Sequence, residues 1–246
     1  MSHPVFDVAG CTALVTGSSR GIGRALAQGL AEAGCDVVLH GRDGAAAARA
    51  AAGLGARHVA FDVTDPEAVE RGMAEVGPLD ILVNNAGIQH REPLLDLAAA
   101  DWQRVLDTNL TSAFLVSRAF ARGMVERGRG KIVNVASLQA ELARPGIAAY
   151  AAAKGGLKML TQSMCAEWGP AGVQANAIGP GYLETDMTRP LVDDEAFSAW
   201  VRKRTPAGRW GRVEELVGTL LFLVSPAADY VNGQIIYVDG GMSSVL

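Results

Sequence analysis

The chain has 246 residues, 49% of them hydrophobic and 20% charged, with 29 glycines and a formal net charge of -4. This is too apolar and too weakly charged for a disordered chain, and the glycines lack the period of three of a collagen helix. The acidic balance offers no basic face for nucleic acid, and no apolar run approaches the roughly 20 residues needed to span a bilayer.

Residues Met1 to Val8 contain no apolar run of the signal-peptide kind. Cys11, Cys35 and Cys165 are widely spaced and odd in number, which suits buried thiols in a reducing compartment rather than a disulfide framework. A soluble cytoplasmic protein is the expectation.

Thr12–Thr16 reads as a buried strand. Residues 21–33 follow with apolar side chains at helical spacing. Val37–Leu39 is the second strand, and the alanine-rich stretch 45–52 is a surface helix. Val59–Phe61 is the third strand, and Asp65-Pro66-Glu67 looks like an N-cap with a first-turn proline. Further strands are expected at Ile81–Val83, Ile132–Val135, Val173–Ile178 and Ile235–Val238. Each is apolar almost throughout, as a strand covered on both faces requires. Strand and helix alternate, and no Pro/Gly/Ser-rich linker divides the chain. The pattern predicts one α/β domain over 1–246, a Rossmann-type doubly wound fold. Its seven-stranded, mostly parallel sheet carries helices on both faces.

The turn after the first strand is Thr16-Gly17-Ser18-Ser19-Arg20-Gly21-Ile22-Gly23. Glycines there permit a tight turn and a close approach of backbone to a pyrophosphate at a helix N-terminus. The second strand ends His40-Gly41-Arg42-Asp43. In dinucleotide folds this tip faces the adenosine ribose. Gly41 stands at the acidic position, and Arg42 can pair with a 2′-phosphate, with Arg20 approaching from the turn. NADP(H) is favoured over NAD(H). The competing reading makes Arg42 a solvated loop residue and Asp43 a ribose ligand or helix N-cap.

Four more segments extend the pattern. They are Asn84-Asn85-Ala86-Gly87, Ser137, Tyr150-Ala151-Ala152-Ala153-Lys154 and Pro180-Gly181. With the glycine turn and Asn109, in this order and at these intervals, they resemble the short-chain dehydrogenase/reductase family over nearly the whole chain. Within it, Gly87–Arg91, Ser137–Gly146 and Thr205–Gly211 are similar to the gluconate 5-dehydrogenase branch, and the 3-oxoacyl-carrier-protein reductases stand nearby.

Tyr150 and Lys154 share a helix face one turn apart. An ammonium beside a phenol favours the phenolate, so Lys154 is expected to lower the tyrosine pKa toward a useful general base. The resemblance implies that Tyr150 exchanges the proton of an alcohol or carbonyl and that Ser137 orients the reacting oxygen. It implies that Lys154 also holds the nicotinamide ribose, and that Asn109 holds a water linking the lysine to solvent. It further implies cofactor contacts from Gly17, Ser19, Gly21, Ile22 and Gly23, with Asp62 and Val63 at adenine and Asn85, Ala86 and Gly87 beside the ribose. Pro180, Gly181 and Thr185 fall at the nicotinamide end.

Gln89, Arg91, Gln139, Glu141, Arg144 and Tyr182 are polar loop residues flanking the reaction centre. Such a set suits a polyhydroxy acid, with Arg91 or Arg144 on its carboxylate; surface or subunit contacts are the alternative. A lid is expected at about 186–210, with Trp200 and Trp210 in it. His3, His40, His58 and His90 are scattered, so no metal is expected, and His90 is expected to be an ordinary loop residue. Family members are usually homotetramers built on long helices, here about 101–127 and 150–169; a dimer is the other possibility.

The leading functional reading is NADP(H)-dependent interconversion of D-gluconate and 5-dehydro-D-gluconate. The alternative, 3-oxoacyl-carrier-protein reduction, needs a basic docking patch, for which Arg122, Arg127, Arg129 and Lys131 are available. A third reading is a catalytically silent nucleotide-binding protein.

Overall fold

The computed structural model describes residues 3–245. Seven strands form one sheet: β1 (Thr12–Val15), β2 (Asp36–Gly41), β3 (Arg57–Ala60), β4 (Ile81–Asn84), β5 (Gly130–Val135), β6 (Val173–Pro180) and β7 (Ile235–Val238). Their order is β3-β2-β1-β4-β5-β6-β7. Every pairing is parallel, so the sheet is parallel throughout. The order reverses direction after β1, because the chain leaves β3 at one edge and returns to pair β4 with β1. Such a switch point opens a crevice at the carboxyl ends of the strands.

The helices are α1 (Gly21–Glu32), α2 (Gly44–Ala52), α3 (Pro66–Val76), α4 (Ala99–Leu106), α5 (Ser112–Arg127), α6 (Ala148–Trp168), α7 (Arg189–Val192), α8 (Glu195–Arg204) and α9 (Val217–Val224). Two apolar layers hold the sheet between them. Leu26, Leu30, Leu220 and Leu223 of α1 and α9 cover one face. Val69, Val116, Phe120 and Met124 of α3 and α5 cover the other. This is why the strands read as unbroken apolar runs.

Asp65 caps α3 by accepting from the Glu67 and Ala68 N–H groups, with Pro66 in the first turn. Asp43 caps α2 through Ala45 and Ala46. That decides between its two readings: its carboxylate is engaged at a helix end. The expected helix over 101–127 is continuous but not uniform. Between α4 and α5, residues Asp107–Thr111 form a wider π-helical turn. Among the described residues, no helix is long and apolar enough to cross a membrane.

Candidate active site

The carboxyl ends of the strands border a cleft of about 990 Å³. At its floor the glycine turn leads into α1. No side chain caps α1, so its first-turn N–H groups face the cleft uncapped. A side chain at Gly23 would place its Cβ 2.5 Å from the Gly17 carbonyl oxygen and against the Asn85 amide. Gly17 and Gly21 have φ of +63° and +55°, which favours glycine.

Two clamps hold this turn. Asn85 donates from Nδ2 to the Thr16 and Gly17 carbonyls at 2.9 and 3.1 Å. Thr16 Oγ1 in turn accepts the Asn85 and Ala86 N–H groups at 2.9 and 3.0 Å. The loop after β4 is thereby tied to the loop after β1.

The second clamp is His40, which sequence reasoning passed over. Its Nδ1 accepts the Gly17 N–H at 3.0 Å, so the ring proton sits on Nε2 and is donated to the Phe61 carbonyl, also at 3.0 Å. The ring lies 4.2 Å from that of Phe61. Burial pushes the His40 pKa from 6.5 down to about 4. The unfolded chain therefore binds a proton between pH 6.5 and 4 that the folded chain does not. Stability is full above pH 6.5 and falls by about 3 kcal/mol as pH drops toward 4. Thermal unfolding across this range should show that slope, and His40→Asn, which keeps an acceptor near Gly17, should flatten it. An unchanged slope in the variant would assign the acid sensitivity to other groups.

Arg20 and Arg42 line the cleft where β2 ends, and Gly41 contributes no side chain between them. Asp62 lies beside Val63 on the same wall. Its carboxylate accepts the Thr64 N–H and hydroxyl at 2.9 and 2.7 Å, which holds its pKa below the usual value.

At the other end, Ser137 follows β5, and Tyr150 and Lys154 project from α6 into the same cleft. Ser137 Oγ donates to Gln139 Oε1 at 2.6 Å. Lys154 is buried and donates to the Val135 carbonyl at 2.7 Å. Burial pushes its pKa down to about 8. The expected effect of Lys154 on Tyr150 needs correction. Burial raises the Tyr150 pKa, and the opposing influences come from the Ser137 hydroxyl and the Arg91 charge. The lysine amine sits 5.6 Å from the tyrosine ring centroid, over the ring, and is occupied by a carbonyl.

Asn109 is turned inward by the π-helical turn. It donates to the Ile88 and Val105 carbonyls at 3.0 and 2.8 Å and accepts the Ile88 N–H at 3.2 Å. A Cβ at Gly87 would lie 2.6 Å from Asn109 Oδ1, so the Asn85-Ala86-Gly87 loop needs glycine there.

Gln89, Arg91, Gln139, Arg144, Tyr182 and Thr185 also border the cleft, as do Ile22, Pro180 and Gly181. Glu141 does not, and its expected place at the substrate is corrected. Its carboxylate pairs with Lys158 of α6 and accepts the Tyr237 hydroxyl of β7 at 3.0 Å. It fastens the loop after Ser137 to the scaffold.

His90 lies in the loop after β4. Its Nε2 lies 3.0 Å from Glu92 and 3.9 Å from Asp101. The three offer ligand atoms within 4.8 Å of one another, a spacing that can hold a metal ion. Arg104 pairs with Asp101 at 2.6 Å and reaches His90 Nδ1 at 3.5 Å, so a guanidinium already supplies positive charge there. The basic residues considered for carrier docking fall elsewhere. Arg129 pairs with Asp80 and Lys131 with Asp229. They flank the start of β5, six residues of strand, or roughly 20 Å, from its cleft end.

A protein-family profile described as "Enoyl-(Acyl carrier protein) reductase" matches residues 17–243. A gluconate 5-dehydrogenase of Gluconobacter oxydans (strain 621H) is 54% identical over 253 residues, covering 99% of each chain. The chain belongs to the short-chain dehydrogenase/reductase family. A 5-keto-D-gluconate 5-reductase of Escherichia coli (strain K12) is 46% identical over 249 residues, covering 98% of each. Among solved structures, a gluconate 5-dehydrogenase of Burkholderia cenocepacia J2315, in complex with NADP and tartrate, superposes with a TM-score of 0.96. It is 51% identical, with 99% of each chain covered. Within this family frame, the glycine turn and the Tyr150–Lys154 pair occupy the two ends of one cleft.

Proposed function

We propose that this short-chain dehydrogenase/reductase interconverts D-gluconate and 5-dehydro-D-gluconate with NADP(H). The observation that carries the reading is convergence: Asn109, Ser137, Tyr150 and Lys154 border the same cleft as the glycine turn. Similarity to relatives named for gluconate and 5-ketogluconate supports the substrate.

The residues present fit a phosphorylated dinucleotide. The glycine turn and uncapped α1 receive the pyrophosphate. Arg20 and Arg42 receive the 2′-phosphate, Asp62 and Val63 flank the adenine, and Asn85-Ala86-Gly87 runs beside the ribose. Lys154 holds the nicotinamide ribose, with Pro180, Gly181 and Thr185 around the carboxamide. NADP(H), when bound, accepts or supplies the hydride. Ser137 exchanges its bond to Gln139 for the reacting oxygen and orients it. Tyr150 takes the alcohol proton in oxidation and returns it in reduction. Asn109 holds a water on the path from Lys154 to solvent.

The single domain acts in the cytoplasm, with residues of about 186–210 as its lid. Phe114 on α5 and Met159 on α6 are exposed, and a homotetramer packed on these helices would cover them. The assay is NADPH consumption, with 5-ketogluconate compared against an acetoacetyl ester. Faster turnover of 5-ketogluconate is expected. Equal or slower turnover removes the sugar-acid assignment.

A further inference from the structure

Ser137 and Glu141 stand at the two ends of one turn. Leu138–Ala140 is a single turn of 3₁₀ helix, with Ser137 as its N-cap and Glu141 as its C-cap. Ser137 Oγ accepts the Gln139 N–H at 3.2 Å, and the Glu141 N–H donates to the Leu138 carbonyl at 3.1 Å. With the turn closed at both ends, whatever holds Glu141 also holds the Ser137 hydroxyl.

Glu141 is held through one oxygen. Its Oε1 accepts from both the Lys158 ammonium and the Tyr237 hydroxyl. Lys158 stands on α6, one turn beyond Lys154 and two beyond Tyr150. Tyr237 stands on β7 opposite Gly179 of β6. A Cβ at Gly179 would lie 2.4 Å from the Tyr237 ring, so the ring packs directly on the strand that ends in Pro180. The Gly181 N–H in turn donates to the Val238 carbonyl at 3.0 Å. One oxygen outside the cleft therefore joins the serine turn, the helix of Tyr150 and Lys154, and the strand pair behind Pro180-Gly181.

We propose that Glu141 is a positioning residue for the reaction, setting through Oε1 where the Ser137 hydroxyl stands relative to Tyr150. It does not border the cleft, so it acts only through the turn. An ion pair as exposed as Glu141–Lys158 contributes little to stability. Reaction geometry is far more sensitive, because a misplacement of about 1 Å can cost about 100-fold in rate. The Ser137 hydroxyl also lowers the Tyr150 pKa against the effect of burial. A turn that drifts weakens that influence. The charged groups beside Tyr150 stay as they are, Arg91 from the loop after β4 and Lys154 from α6 itself.

The inference rests on the oxidoreductase reading and not on the sugar acid. Variants are compared with the parent on whichever ketone the parent reduces, 5-ketogluconate or an acetoacetyl ester. A parent inactive on both retires that reading and the inference with it. Glu141→Ala should lower kcat about 10- to 100-fold. NADPH affinity should be nearly unchanged, and thermal unfolding should move by less than about 4 °C. The rise of alcohol oxidation with pH should begin at higher pH than in the parent. Glu141→Gln returns an oxygen to the Oε1 position and should restore most of kcat. Parent-like kcat in Glu141→Ala overturns the inference. So does a loss of kcat with no shift of the pH profile and no rescue by Glu141→Gln. Should Glu141→Ala not fold, Tyr237→Phe and Lys158→Met each remove one donor. Each should then lower kcat with the same pH shift, and parent-like values in both overturn the inference.

Discussion

Tyr150→Phe is expected to lower kcat by about 100- to 10,000-fold, the range for losing a positioned general acid or base. NADPH binding should be nearly unchanged, because the substitution removes one oxygen and leaves the ring packed beside Lys154. Stopped turnover with intact NADPH fluorescence titration is the signature. Turnover within a few-fold of the parent would show that another group moves the proton. The pH dependence has a definite sign. Burial raises the Tyr150 pKa, so the phenol is protonated at neutral pH. Reduction, which needs the proton, should hold at neutral pH and fall as pH rises. Oxidation, which needs the phenolate, should rise.

Arg42→Ala is expected to weaken NADPH by about 10- to 100-fold, from the 1.5–3 kcal/mol of a hydrogen bond to a charged group. NADH affinity should barely move. The tip of β2 explains the asymmetry. Gly41 has no carboxylate to grip a ribose 2′-hydroxyl, and Asp43 is committed to capping α2. With Arg42 removed, Arg20 remains as the second cation, so binding should weaken rather than vanish. Titrating both cofactors against both proteins decides the matter. Equal losses for NADH and NADPH would place Arg42 elsewhere than at the phosphate.

Sequence reading went furthest where a physical demand is local. Strands covered on both faces must be apolar, so β1, β4 and β5 stood out. A turn that passes close to other backbone needs glycine, so Gly17 and Gly23 stood out. Four-residue spacing on a helix put Tyr150 and Lys154 on one face. It failed where the partner is distant in the chain. His40 gains its role from Gly17 and Phe61, 23 and 21 residues away. Glu141 is a polar loop residue in any reading, and only the fold brings Tyr237, 96 residues on, to its carboxylate. The Lys154 expectation erred for a related reason. Spacing places an ammonium near a phenol but says nothing of the desolvation that dominates both groups.

The wide turn at Asp107–Thr111 has one more consequence. Each residue advances an α-helix by about 100°, and a π-turn accommodates one extra residue. The two halves of the 99–127 rod are therefore out of phase. Ala100, Gln103 and Arg104 of α4 face the cleft. Farther on, Ala113, Val116, Phe120 and Met124 of α5 are buried. One helix thus serves two solvents, and Asn109 stands where the phase slips. Deleting a single residue there would leave both halves helical and Ser137, Tyr150 and Lys154 in place. It would still swing Asn109 away from Ile88. A relative that lost activity by such a deletion would show an intact Ser-Tyr-Lys pattern, and its silence would lie in helix register rather than in any substituted side chain.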